Sequence, residues 1–224
     1  MSACIPLTLD QAKLIMSNLK GRQSIRNKAI FSLGCATGMR ISELLCLQIG
    51  DIIQPDGEFR KKIKLTDFMY KRLSSYYHTK SVIQDNSKST KKHSGEIGVR
   101  SFCHKYISSL INQLYYNGYQ QPNNFLFVTS TGKIVRRQSI YWAIRCSAEA
   151  SGIFQTVGTH SMRKSFAMDL YFLIEKAAKT NLKIKPMILM KSALRHAKYD
   201  STLSYMKFID TNIDPFFEEK SFEL

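Results

Sequence analysis

Length, composition and charge exclude several classes of protein. With 224 residues and a hydrophobic fraction of 44%, the chain can bury a sizeable core and belongs to neither the disordered nor the fibrous class. Its formal charge of +16 favours an anionic partner, and nucleic acid is the first to consider.

The first third of the chain predicts three helices. Thr8 or Asp10 can cap a first helix that ends near Leu19. A second covers about residues 25–36, and Gly38 suits the left-handed residue that ends it. A short third helix follows, with an apolar face made of Ile41, Leu44 and Leu45.

The middle of the chain predicts a small antiparallel sheet. Residues 51–58 are turn-like, and the alternation of apolar and polar residues over 59–65 indicates a strand. Residues 71–94 are polar, basic and rich in serine, and Ile97 and Val99 then indicate a short returning strand. We therefore expect one hairpin with a basic connection.

The rest of the chain again predicts helices. One lies around residues 107–114, one covers 139–150, and a long one begins at Arg163. Pro186 fits the first turn of a further helix. A last helix, capped by Asp200 or Ser201, carries Tyr205. The predicted fold is mainly α with a small antiparallel β-sheet, in the α+β class.

The sequence also predicts a protein of the reducing cytosol. No apolar run approaches the roughly 20 residues of a membrane span, and no signal peptide is recognisable. Cys35 and Cys46 lie in apolar helical stretches, and the five cysteines match no zinc-binding spacing. We expect buried thiols, no metal, no membrane contact, and a cytoplasmic, nucleoid-associated location.

One ordered set of polar residues carries the chemistry. It contains two guanidiniums, two imidazoles and one phenol, which a folded core can bring together: Arg40, His160, Arg163, His196 and Tyr205. Two arginines can clamp the non-bridging oxygens of one phosphate, and a tyrosine can attack that phosphate and carry it covalently. Each residue alone has an ordinary structural explanation, but the ordered set does not.

This set resembles the active site of the tyrosine recombinases, the phage-integrase family. Thr37-Gly38-Met39-Arg40-Ile41-Ser42-Glu43-Leu44 is similar to the family's first box, and His160-x-x-Arg163 to its second. Leu194-Arg195-His196 is similar to the third, with Tyr205 nine residues after His196. Arg195 stands where the family usually has glycine. The resemblance covers roughly residues 8–206.

The resemblance implies a mechanism. Tyr205 is the nucleophile, and DNA is cut and rejoined through a 3′-phosphotyrosine without metal, ATP or other cofactor. Arg40 and Arg163 stabilise the phosphate, His160 accepts the phenol proton, and His196 donates a hydrogen bond. A lysine of the hairpin protonates the leaving 5′ oxygen. We assign this role to Lys88, and four further lysines remain candidates for it, namely Lys71, Lys80, Lys91 and Lys92.

The resemblance also implies partners and domains. Double-stranded DNA is the substrate, bound in part by Lys91, Lys92, Arg136 and Arg137, and four protomers form the synapse. Residues 1–206 form the catalytic domain. Residues 207–224 form an acidic, apolar tail suited to a contact between protomers. The N-terminal core-binding domain is absent, as in the short fimbrial phase-switch recombinases, and accessory DNA-binding proteins are candidates to replace it.

Two further functions fit the same sequence. A catalytically silent DNA-binding accessory protein would share the fold, although the complete set of five residues argues against it. A nicking-closing enzyme like the type IB topoisomerases would share the chemistry without requiring two DNA sites.

Overall fold

The computed structural model describes residues 4–66, 69, 72, 95–180, 184–195 and 202. Helices form the frame of this part of the chain, and the predicted α+β class is confirmed. The α-helices are α1 (Leu9–Asn18), α2 (Ser24–Thr37), α3 (Ile41–Leu45), α4 (Ile49–Ile52), α5 (His104–Tyr116), α6 (Arg137–Glu149), α7 (Thr159–Thr180) and α8 (Pro186–Leu194), with a 3₁₀ turn at Ser101–Cys103. Strands β1 (Lys62–Leu65) and β2 (Gly95–Gly98) lie between α4 and that turn.

Local sequence signals set both ends of the first helices. The Thr8 hydroxyl accepts a hydrogen bond from the Gln11 amide at 3.2 Å, while the Gln11 side chain accepts one from the Thr8 amide at 3.0 Å. This reciprocal capping box confirms Thr8 as the cap of α1. Helix α2 ends at Gly38, which has the predicted left-handed conformation with φ 63°.

Two glycines allow α2 to pack closely against α7. A Cβ atom at Gly34 would lie 2.5 Å from the Met162 sulfur, and one at Gly38 would lie 2.8 Å from Cγ of Phe166. Both distances are well inside van der Waals contact. Glycine at these two positions therefore brings the end of α2 and the beginning of α7 together, and the candidate site is built at this crossing.

The hairpin is confirmed, but its first strand is shorter than predicted. Strand β1 pairs antiparallel with β2, with Ile63 opposite Ile97 in the buried row. Phe59 instead forms an isolated bridge with Ile53. Residues 49–52 form α4 where only a turn was expected, because the Asp51 carboxylate accepts the Gln48 amide at 2.9 Å and caps this single turn.

The long helix α7 begins four residues earlier than predicted. Ser161 Oγ accepts the Gly158 amide at 3.2 Å, which stabilises a polar first turn that the apolar periodicity did not reveal. Farther along, Phe166 and Ala167 of α7 form a small second core with Met190 and Leu194 of α8. This packing places the end of α8 beside the beginning of α7.

Cys35 and Cys46, which were predicted to be buried thiols, are both surrounded by protein. Cys46 is buried, and the surrounding protein raises the pKa of the Cys35 thiol to about 12. Within the described residues, no helix is both long and apolar enough to cross a membrane.

Candidate active site

Arg40 lies at the tight corner between α2 and α3. Its backbone is extended, at φ −68° and ψ 150°, and its amide donates to the Glu43 carboxylate at 2.7 Å. Its Nη1 also contacts the other oxygen of Glu43, at 3.1 Å. The Glu43 side chain is 1% exposed and that of Arg40 is 38% exposed. The buried carboxylate thus orients a guanidinium that reaches solvent.

Arg163 lies on the inner side of the same corner. This residue is 2% exposed, and its Nη1 donates to the Gly38 carbonyl at 2.6 Å. Its Nη2 donates to the Leu194 carbonyl at the end of α8. Charged donors make strong hydrogen bonds to buried carbonyls. Arg163 therefore connects the turn before Arg40, the first turns of α7 and the end of α8.

A second link between these elements was not predicted from the sequence. Arg195 ends α8 in the left-handed conformation, with φ 53° and ψ 44°, and its guanidinium binds the Glu43 carboxylate. A glutamate three residues after the residue that precedes a helix can accept that residue's amide, and this spacing could have revealed part of the role of Glu43. The left-handed backbone of Arg195 did have a sequence signal, because Arg195 stands where the family usually has glycine, the usual residue in that conformation.

His160 lies in the first turn of α7, at the rim of the site. Its ring reaches solvent, yet protein atoms on one side partly desolvate it, and this lowers the pKa of the imidazole below its usual range. The positive charges of Arg137, Arg163, Lys164 and Arg40 lower the pKa further, in that order. The ring is therefore neutral at pH 7 and able to accept a proton.

Helix α6 packs against α7, and the charge of Arg137 at the start of α6 lowers the pKa of His160. Arg136 immediately precedes this helix and Arg137 begins it, and both residues are exposed. One turn after His160 on α7, Lys164 donates to the Cys4 carbonyl at 2.5 Å, and partial burial lowers the pKa of its amine. The rim is thus strongly basic, as a surface that receives phosphates requires.

The structure brings together three of the predicted catalytic residues, namely Arg40, His160 and Arg163. The remaining predicted residues lie outside the described part of the chain. They are His196, Tyr205 and the five candidate lysines Lys71, Lys80, Lys88, Lys91 and Lys92. Thr202, three positions before Tyr205, is described, helical and fully buried.

Two further features contribute nothing to this site. Among the described residues, no three side chains of the His, Cys, Asp or Glu type converge where a metal ion could bind. An open pocket of about 460 Å³, lined by Gln54 and residues 58–62, contains none of the predicted catalytic residues. The chemistry of the corner, rather than the size of a cavity, identifies the candidate site.

Comparison with known proteins identifies the family of the chain. The phage integrase family pattern matches residues 6–178. The tyrosine recombinase XerD of Oceanobacillus iheyensis is 25% identical over 195 residues, which are 86% of this chain and 54% of that protein. The XerD of Halalkalibacterium halodurans is 25% identical over 166 residues, or 73% and 47% of the two chains. The chain thus spans about half the length of these curated relatives.

Solved structures show the same fold. The XerA recombinase superposes with a TM-score of 0.65 at 18% identity, covering 99% of this chain and 68% of that one. The XerH site-specific recombinase, bound to its difH substrate after cleavage, gives 0.63 at 18% identity, covering 97% and 54%. The catalytic domain of bacteriophage HP1 integrase gives 0.53 at 14% identity, covering 92% and 89%.

Proposed function

Because the chain belongs to the phage integrase family, we propose that it is the catalytic part of a site-specific tyrosine recombinase that cuts and rejoins duplex DNA. The observation that carries this proposal is the convergence of Arg40, His160 and Arg163. Arg163 bonds to the turn that precedes Arg40, and the charges of both arginines lower the pKa of His160. Such a cluster suits the binding of one phosphate beside a general base.

The proposed reaction is a transesterification. The Tyr205 oxygen forms a bond to phosphorus while the bond from phosphorus to the 5′ oxygen breaks. A free phenol has a pKa of about 10 and needs assistance at pH 7. The neutral His160 ring accepts its proton, and Lys88, or another of the five candidate lysines, protonates the 5′ oxygen. The 3′-phosphotyrosine conserves the energy of the broken bond, so the reverse reaction rejoins the DNA without metal or ATP.

The two arginines have different parts in this proposal. The exposed guanidinium of Arg40 contacts a non-bridging oxygen and stabilises the charge of the pentacoordinate transition state. Arg163 is buried, so it supports the same phosphate from the inner side while holding the corner in place. His196, which follows Arg195 in the sequence, adds a hydrogen bond to a non-bridging oxygen.

Duplex DNA is the proposed partner. XerH and the lambda integrase are similar folds whose structures contain DNA, and this chain presents a basic rim. Arg136, Arg137, Lys91 and Lys92 would contact phosphates. We expect residues 1–206 to act as the catalytic domain and the apolar tail of residues 207–224 to dock between protomers of a tetrameric synapse, with accessory proteins helping to hold the DNA. We expect the protein to act in the cytoplasm, at the nucleoid.

A nicked suicide substrate tests the proposal. Loss of the short fragment next to the cleavage site should trap a covalent protein–DNA adduct. Tyr205→Phe should abolish the adduct and leave DNA binding nearly intact, because only the attacking oxygen is lost. Tyr199→Phe is the matched control and should still form it. An adduct that persists in Tyr205→Phe, or that maps to Tyr199, would refute the assignment.

The same assays separate the two competing functions. Binding without any adduct would indicate a silent accessory protein. Relaxation of supercoiled DNA that lacks a second recombination site would indicate a nicking-closing enzyme instead of a recombinase.

A further inference from the structure

Arg195 has a backbone conformation that its side chain disfavours. Its φ of 53° is the single positive φ of a non-glycine residue in the described part of the chain. At the end of a helix this conformation is usually left to glycine, which has no Cβ to clash with the following carbonyl. Another interaction must therefore hold Arg195 in place.

The Arg195 side chain supplies that interaction. Its Nη2 lies 2.9 Å from Oε2 of Glu43, and its Nη1 lies 3.3 Å from Oε1. The Arg195 side chain is 17% exposed and that of Glu43 is 1% exposed. This is a two-point contact between a planar fork and a carboxylate, which fixes orientation as well as distance.

Glu43 divides its carboxylate between two arginines. Oε1 is shared by Nη1 of Arg40 and Nη1 of Arg195, and Oε2 is shared by the Arg40 amide and Nη2 of Arg195. A buried carboxylate attracts the nearest cation strongly. With Arg195 present, Glu43 has a second cation, so Arg40 contacts it through Nη1 while part of its guanidinium reaches solvent.

The geometry also argues against a direct contact between Arg195 and DNA. Both of its terminal nitrogens point to Glu43, and its Cδ lies beside the first residue of β2, 3.7 Å from where a Cβ of Gly95 would be. The side chain therefore lies largely enclosed between α3 and the end of the hairpin from which the connection between β1 and β2 leaves, whereas Arg40 is more exposed.

We propose that Arg195 is a positioning residue that acts through Glu43 to keep the Arg40 guanidinium directed at the DNA phosphate. Without Arg195, the Glu43 carboxylate would draw Arg40 inward and reduce its contact with the phosphate. This inference rests on the proposed recombinase function. It predicts an effect on the chemical step rather than on DNA affinity.

The test uses the full chain and a nicked suicide substrate. The single-turnover cleavage rate is measured at saturating protein, and the Kd for DNA is measured in a separate binding experiment. Arg195→Gly accepts the left-handed backbone and removes the ion pair with Glu43 together with the packing of the side chain beside Gly95. We expect its rate to fall on the order of 10-fold while Kd stays within about 2-fold. Arg195→Lys, which keeps one charged contact to Glu43, should recover part of the rate. Arg145→Ala, which breaks an ion pair with Glu149 on α6, is the matched control and should cleave like the wild type.

A double-mutant cycle separates positioning from simple stabilisation. If Arg195 acts through Arg40, then Arg195→Gly should slow cleavage much less in an Arg40→Ala background than in the wild type. Additive effects, a wild-type rate for Arg195→Gly, or an effect confined to Kd would overturn the inference. Failure of the wild-type protein to form any adduct would instead overturn the proposed function.

Discussion

The two sides of the candidate site are built differently. On the inner side, Arg163 and Glu43 are almost completely buried. Arg163 donates to main-chain carbonyls, and Glu43 accepts from the Arg40 amide and from the Arg195 side chain. On the rim, His160 and Arg137 are exposed, and the positive charge of Arg137 lowers the pKa of His160. One side is rigid because packing and hydrogen bonds fix it. The other is made of side chains that a ligand can approach.

This contrast suggests a division of labour. Buried, hydrogen-bonded groups hold a reacting phosphate in one geometry, which matters most for the rate of the chemical step. Exposed cations contact phosphates in many arrangements, which matters most for affinity and its dependence on salt. Substitutions on the two sides should therefore change different measured quantities.

The largest effect is expected for Arg163→Lys on the inner side. A lysine keeps the charge but cannot donate to both Gly38 and Leu194, so the corner loses its link to α8. The saturating cleavage rate should fall on the order of 100-fold or more. Arg26→Lys is the matched control, because Arg26 is also buried and donates to a main-chain carbonyl, that of Val128. A similar loss of rate in both variants would show that general destabilisation is the cause.

Gly38→Ala should have the next largest effect, on stability. The left-handed backbone costs about 1–2 kcal/mol for a residue with a Cβ, and the clash with the Phe166 ring adds roughly another 1–3 kcal/mol. Thermal unfolding should show a decrease in Tm of about 10 °C. Gly57→Ala is the control, because Gly57 also has a positive φ, 89°, but no atom lies within 4 Å of the new Cβ. It carries the backbone strain without the steric clash, so it should lower Tm less than Gly38→Ala. Equal decreases would contradict the close packing of α2 on α7.

On the rim, Arg137→Gln should mainly weaken DNA binding. Loss of one phosphate contact should make the slope of log K against log salt less steep by about 0.9. Lys13→Gln, on the exposed side of α1, is the control and should leave the slope unchanged. The whole protein should still lose on the order of 10³-fold in affinity between about 50 and 200 mM salt if it contacts six or more phosphates. A nearly flat response to salt would refute the DNA-binding function.

The smallest effect is a shift in the pH profile. The pKa of His160 is lowered below about 6.5, so its ring stays neutral at pH 7 and becomes protonated only below that value. With subsaturating protein, cleavage should be level from about pH 8 to 6.5 and decline at lower pH. Arg137→Gln removes a positive charge, so the pKa of His160 should rise and the decline should move to higher pH. Arg136→Gln is the control, and an equal shift in both variants would contradict the assignment.

Much of the fold was predictable because its signals are local. The Thr8 cap, the left-handed Gly38 and the apolar face of α5 were each recognised from a few neighbouring residues, and the structure confirms them. The early start of α7 was missed because its first turn is polar and is stabilised by Ser161, whereas the prediction relied on apolar periodicity.

The site was predictable in its residues but not in their environments. Sequence order identified Arg40, His160 and Arg163, yet it treated the two arginines as equivalent. Only the packing of α2, α7 and α8 makes Arg163 interior and leaves Arg40 partly exposed. The contact between Arg195 and Glu43 joins residues 152 positions apart, and no local pattern predicts it.

One paired measurement tests the division between the two sides most directly. The saturating single-turnover rate and Kd should be determined on the same nicked substrate for Arg40→Lys and Arg137→Gln. Arg40 is partly exposed, but the buried Glu43 carboxylate fixes its orientation, so it belongs with the inner side. Arg40→Lys keeps the charge but loses the fork, so its rate should fall on the order of 100-fold with little change in Kd. Arg137→Gln should raise Kd and leave the saturating rate nearly unchanged. The reverse pattern, or equal changes of rate and Kd in both variants, would contradict the account.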